Sequence, residues 1–97
     1  MKLYQDVLVA YDIEDNKARS RVFEKLKDIG LKPVQKSVFW GCVLATEKKS
    51  IHRLLNGELE PTDRAFLIPM SQKQAQAAFI FGYATSPFKS PNRFDVL

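Results

Sequence analysis

The sequence predicts an α+β domain of the split βαβ type, a four-stranded antiparallel sheet carrying two helices on one face. Three observations lead there. A nearly continuous apolar run, Gln5–Tyr11, passes directly into a helix-spaced stripe. Two short strand-like segments, Val34–Phe39 and Cys42–Thr46, follow with almost nothing between them. A second helical stripe then leads to another strand, Arg64–Pro69, completing the order βαββαβ.

Each element has a local reason. Val7, Leu8, Val9, Ala10 and Tyr11 form the run expected of a central strand covered on both faces. Asp15 or Asn16 can cap the helix that follows. Ala18, Val22, Leu26 and Ile29 recur at helical spacing, and Gly30 stands where helices leave through a left-handed residue. In Val34–Phe39 the residues Gln35, Ser37 and Phe39 alternate with Lys36, Val38 and Trp40, and Trp40–Gly41 is expected to turn the chain into Cys42–Thr46. Lys48–Leu55 reads as a shorter helix anchored by Ile51, Leu54 and Leu55 and ending near Gly57. Gln72–Ala78 fits a helical turn before an apolar fifth strand, Phe79–Tyr83. The domain is expected over residues 1–85. Residues 86–97, with Pro87 and Pro91, form a C-terminal tail without regular structure.

One sheet face is left without helices in this arrangement. A two-fold dimer that packs the bare faces together, covers Val38, Trp40 and Ile68, and exchanges the last strand is the economical solution.

A chain of 97 residues suits one domain, and 45% hydrophobic with 27% charged residues is a composition that folds. No apolar run approaches the roughly 20 residues of a membrane span. The amino terminus MKLYQDVLVAYDI lacks a signal-peptide cleavage pattern and leads straight into a strand, so a cytoplasmic protein is expected. The lone Cys42 excludes an internal disulfide and reads as core packing. There is no Gly-rich phosphate loop, GxSxG, CxxC or HExxH motif, and the single histidine, His52, has no second histidine or thiol near it in sequence.

Charge is more informative. Between Lys17 and Arg53 ten Lys or Arg residues face three acids, a local net of +7 within a total of +4. Such a one-signed field suits a phosphate-bearing partner, or else a solvated surface that keeps the protein soluble. Lys17, Arg21 and Lys25 lie at i, i+4 and i+8 on one ridge, where like charges repel unless an anion offsets them. Arg19 lies on the other flank of the stripe, able to grip a phosphate or to pair with Asp12.

Asp12 ends the central strand, where charged groups are most often functional. It suits either a hard cation such as Mg²⁺ or a turn-and-cap role. One carboxylate is a poor magnesium site, and a dimer axis nearby would supply a second. Glu14 and Asp15 complement the helix dipole. Gln35 and Ser37 border Phe39, an aromatic that suits either a base or sugar contact or dimer core.

AYDIEDNKARSRVFEKLKDIG followed by VQKSVFWG resembles the small ferredoxin-like nuclease family of CRISPR systems, the second of the two core CRISPR-associated proteins that acquire new spacers. YDI, R-x-R-V and Q-x-SVF stand at that family's separations, and RAFLIPM and FIFGY extend the likeness more loosely. The resemblance implies a ferredoxin-like homodimer in which the two Asp12 carboxylates face each other across Mg²⁺. It matches Tyr11 and Asp12 to a Tyr-Asp pair, Arg19 and Arg21 to helix arginines, and Ser37 and Phe39 to the SVF segment. It implies metal-dependent cleavage of RNA or DNA phosphodiesters, and a non-catalytic role in which the dimer holds duplex DNA and bridges subunits of the CRISPR integrase. Lys36, where relatives often carry an aromatic residue, and Pro33, near an often basic position, depart from the pattern. A stand-alone ribonuclease toxin of the virulence-associated type is the competing expectation.

Overall fold

The computed structural model describes residues 3–88. Its elements are β1 (Tyr4–Asp12), α1 (Asn16–Ile29), β2 (Lys32–Gln35), β3 (Val38–Leu44), α2 (Ala45–Glu58), β4 (Arg64–Pro69) and α3 (Gln72–Gln76). The strands form one antiparallel sheet in the order β2-β3-β1-β4. This is the α+β, ferredoxin-like arrangement the sequence predicts.

Strand alternation sorts the sheet into two faces. Val7, Val9 and Tyr11 of β1 lie on one side with their register partners Phe39, Leu67 and Ala65. Together with Val22 and Leu26 of α1 and Ile51 and Leu55 of α2 they make the core. Asp6, Leu8, Ala10 and Asp12 lie on the opposite side, level with Cys42, Trp40, Val38, Ile68, Phe66 and Arg64. Phe66 and Ile68 are about half exposed there.

The ends of α1 are chemically defined. Asp15 is the cap, its carboxylate accepting the Ala18 N–H at 2.8 Å. Gly30 closes the helix at φ 114°, and its N–H turns back to the carbonyls of Leu26 and Lys27. A side chain at that φ is strained, which is why glycine stands there.

The expected boundary between the second and third strands is corrected. The chain turns at Lys36–Ser37, and Trp40 and Gly41 lie inside β3, both buried. Gly41 is needed for closeness: a Cβ there would stand 2.5 Å from Leu31 Cδ2 and 3.1 Å from Leu31 Cα. Ser37 and Gln35 therefore do not share a strand with Phe39. α2 begins earlier than its apolar stripe indicates because Glu47 folds back to accept the Leu44 N–H at 2.8 Å.

Among the described residues Phe79–Tyr83 pairs with no strand. Phe79 and Phe81 are 92% and 87% exposed. Beyond them the Tyr83 hydroxyl donates to the Val34 carbonyl of β2 at 2.9 Å, and Phe88 packs edge-on against Trp40 at 5.2 Å. The start of the tail thus lies on the sheet of its own chain, while Phe94, Val96 and Leu97 fall outside the described residues. Among the described residues, no helix is long and apolar enough to cross a membrane.

Candidate nucleic-acid interface

Three separate stretches converge at the carboxyl end of β1. The Tyr11 N–H donates to the Ser37 carbonyl at 3.1 Å, which ties the β2–β3 turn to the strand end. Arg19, one turn into α1, donates to the Ile13 carbonyl at 2.9 Å and to the Asn16 side chain. Between them opens a crevice of ≈ 430 Å³, lined by Tyr11, Asp12, Arg19, Phe23, Lys36 and Ser37 among others.

Tyr11 is 6% exposed, and its ring stacks over Phe39 with centroids 6.3 Å apart. Phe23 meets Phe39 edge-on at 5.1 Å. The Tyr11 hydroxyl lies buried without a hydrogen-bond partner among the described residues. Burial pushes its pKa above the usual value, and the nearby Arg19 charge partly opposes that. The phenol is therefore a neutral donor beside a cation.

Asp12 is exposed and stands opposite Arg64 in the β1–β4 register. It caps nothing, since Asp15 fills that role. Neither hydrogen-bonding nitrogen of Arg19 goes to it. Its carboxylate is left open to a cation. Among the described residues no group of three or more His, Cys, Asp or Glu side chains could hold a metal. Mg²⁺ keeps several waters and takes one or two carboxylates, so Asp12 suits it only if a second copy of the chain contributes the twin.

The remaining expected contacts separate by position. Phe39 is 0% exposed and lies outside the crevice lining, packed against the Tyr11 and Phe23 rings with no surface for a ligand. The expectation that it touches nucleic acid is corrected on that ground. Lys17, Arg21 and Lys25 lie on the exposed side of α1, outside the crevice lining. Arg21 is engaged: its Nε and one terminal nitrogen donate to the two carboxylate oxygens of Glu58 on α2 at 2.7 and 2.9 Å. Lys25 lines a second groove of ≈ 420 Å³ between α1 and α2, with Asp28, Ile29, Ser50, Arg53 and Leu54. His52 is exposed on α2, with no histidine or thiol near it in sequence.

Sequence reasoning missed Asp63. Its two oxygens accept the Glu14 N–H at 3.1 Å and the Glu60 N–H at 3.0 Å, fastening the segment after Asp12 to the turn before β4. The local signal was present, since Glu60-Pro61-Thr62-Asp63 is a turn sequence. Its bond to Glu14, 49 positions away, has no local signature.

The family model described as "CRISPR associated protein Cas2" matches residues 5–78. The chain is 42% identical over 89 residues to the CRISPR-associated endoribonuclease Cas2 1 of Francisella tularensis subsp. novicida, covering 92% of each. It is 40% identical over 68 residues to the CRISPR-associated endoribonuclease Cas2 of Korarchaeum cryptofilum, covering 69% of this chain and 73% of that one. Among solved structures, Streptococcus pyogenes Cas2 at pH 6.5 superposes with a TM-score of 0.70 at 25% identity, over 79% of this chain and 99% of that one.

Proposed function

Since this chain belongs to the CRISPR-associated Cas2 family, we propose that it acts in spacer acquisition as a two-fold dimer that holds duplex DNA by its backbone and bridges subunits of the CRISPR integrase. The observation that carries this reading is the meeting of Tyr11, Asp12, Arg19, Lys36 and Ser37 in one crevice beside the exposed basic ridge of α1. Phosphates are the partner such a surface suits, because Arg and Lys gain affinity by releasing the counterions condensed on a duplex. The exposed Phe66 and Ile68 on the helix-free face support pairing of two chains through that face.

Cleavage of RNA or DNA is the second activity we propose for the same site, and the exposed, uncapped Asp12 favours it. The relatives of Francisella tularensis subsp. novicida and Korarchaeum cryptofilum are named as endoribonucleases. Two Asp12 carboxylates, one from each chain, would hold Mg²⁺, with Arg19 and Lys36 orienting the phosphate. When bound, the cation supplies Lewis-acid stabilisation of the charge that develops on the phosphoryl oxygens. A chain working alone as a toxin is not carried forward, because family membership already associates this one with CRISPR systems.

Spacer acquisition in cells carrying wild type or Asp12→Asn tests the two roles. Retained acquisition supports the architectural role, and loss with an intact integrase complex supports catalysis. Failure of the wild-type chain to bind duplex DNA at low salt, or binding that does not weaken as salt rises, would remove the nucleic-acid reading.

A further inference from the structure

The basic ridge of α1 reads in sequence as three like charges that Asp28 can offset in part, yet its central member is held by a different acid. Arg21 and Glu58 form a bidentate pair across the α1–α2 seam, with Nε–Oε2 at 2.7 Å and the second nitrogen at 2.9 Å from Oε1. The Arg21 side chain is 52% exposed and Glu58 18%. A guanidinium held by both carboxylate oxygens offers its planar fork to nothing else, and that fork is the geometry with which arginine grips phosphate. Lys25, one turn further along the ridge, also acts on Glu58 electrostatically. The carboxylate therefore lowers the field of two of the ridge's three cations.

We propose that Glu58 sets how strongly this surface binds a duplex: it withholds Arg21 from phosphate, so removing its charge adds one phosphate contact to the interface. This rests on the duplex-binding reading above. The pair is a competitor and not a permanent staple, because exposed ion pairs are weak and salt-screened, while a phosphate offers the guanidinium the same two-oxygen geometry at higher charge. The Arg21 hydrogen bonds hold the Glu58 carboxyl below the usual carboxylate range, so it remains an anion at neutral pH and the competition persists.

The test is a double-mutant cycle read by duplex binding. Wild type, Glu58→Gln, Arg21→Gln and the double variant are titrated against a labelled duplex by fluorescence anisotropy at several salt concentrations. Chelator is present so that the probe stays uncut. Glu58→Gln is expected to bind about three- to tenfold more tightly at low salt, with the slope of log K against log salt steeper by about 0.9, the increment of one phosphate contact. In the Arg21→Gln background, the same Glu58 change is expected to leave that slope alone. An equal gain in both backgrounds would mean that Glu58 acts only through overall charge, and the proposal falls. Wild-type binding with no gain in Glu58→Gln sinks this proposal alone, whereas no binding by any of the four proteins sinks it together with the duplex-binding reading. The backbone and side-chain Nε–H NMR signals of the free proteins confirm that each variant is folded and report the pair directly. The Arg21 Nε–H is expected to be protected from solvent exchange in wild type and released in Glu58→Gln.

Discussion

Asp6 and Asp12 belong to the same strand and the same side of the sheet, six residues apart, and their environments are opposite. Asp6 is 8% exposed, and one of its oxygens has no hydrogen-bond partner among the described residues. Burial pushes its carboxyl above the ordinary value, and a hydrogen bond with Cys42 pulls the other way. Asp12 is exposed, at a strand end that other segments surround without covering. The contrast teaches that a carboxylate on the helix-free face stays accessible only where neighbouring segments leave it uncovered. Where they bury it, as at the Asp6 end, it is a liability to stability.

That comparison can be broken from either end. The largest effect is expected from Asp12→Asn, which should lower any metal-dependent cleavage by roughly 10²-fold or more while changing stability by less than about 0.5 kcal/mol. Cleavage that survives this substitution, or survives chelator, assigns the activity elsewhere. Gly41→Ala strikes β3 level with Val7, near the Asp6 end but on the helix side. The added methyl would run into Leu31, and a loss of about 1–3 kcal/mol in chemical denaturation is expected, with duplex binding by the folded fraction unchanged.

Asp63→Ala probes the support of the Asp12 end. Two backbone N–H groups lose their acceptor, at a cost of about 1–2 kcal/mol. Hydrogen exchange should quicken at Glu14 and leave the Met70 amide, bonded to the Asp6 carbonyl at 2.9 Å, as protected as before. Uniform quickening at both would mean that the two ends are not independent.

Asp6→Asn should give the smallest effect, and one of opposite sign. The Asp6 carboxyl titrates above its ordinary 3.8, so the fold favours its protonated form. Wild-type stability is fully supported below 3.8 and declines as pH rises through the folded-state value, because the native protein holds a proton the unfolded chain has released. The asparagine variant lacks that decline. At and above neutral pH it should be the more stable by about 1 kcal/mol, a gain of roughly 4–8 °C in Tm for a domain of this size, and the advantage should shrink toward acid pH. A difference that ignores pH would show that ionisation of Asp6 is not its source.

What could be read from the sequence follows from how local each cause is. The range Arg64–Pro69, the Gly30 exit and the placing of Asp12 at a strand end all depend on neighbours within a few positions and are found as expected, and of the two cap candidates, Asp15 and Asn16, the structure takes Asp15. The turn at Lys36–Ser37 was displaced to Trp40–Gly41 because a glycine after an aromatic residue looks like a turn, whereas this glycine answers to Leu31 ten positions away. Arg21 looked free because its partner lies 37 positions on. Asp6 gave no signal because β3 and the Met70 segment create its burial. In the crevice, the sequence named Tyr11, Asp12, Arg19 and Ser37, but it could not tell that Phe39 is buried behind the Tyr11 and Phe23 rings.

The Tyr83–Val34 hydrogen bond has a further consequence. A sheet of order β2-β3-β1-β4 has two rims along which another chain can be added. On β2 the rim is spoiled: Pro33 has no N–H, the ladder is irregular between Pro33 and Gln35, and the Val34 carbonyl is already taken by a phenol. β4, with Ala65–Phe66–Leu67–Ile68, keeps its rim open among the described residues. Growth by strand addition needs two usable rims on each molecule, and the described residues leave a single one. Association through it would stop at a pair, so the same apolar segment that would nucleate a fibre in a two-rimmed sheet has no second rim here by which to propagate one.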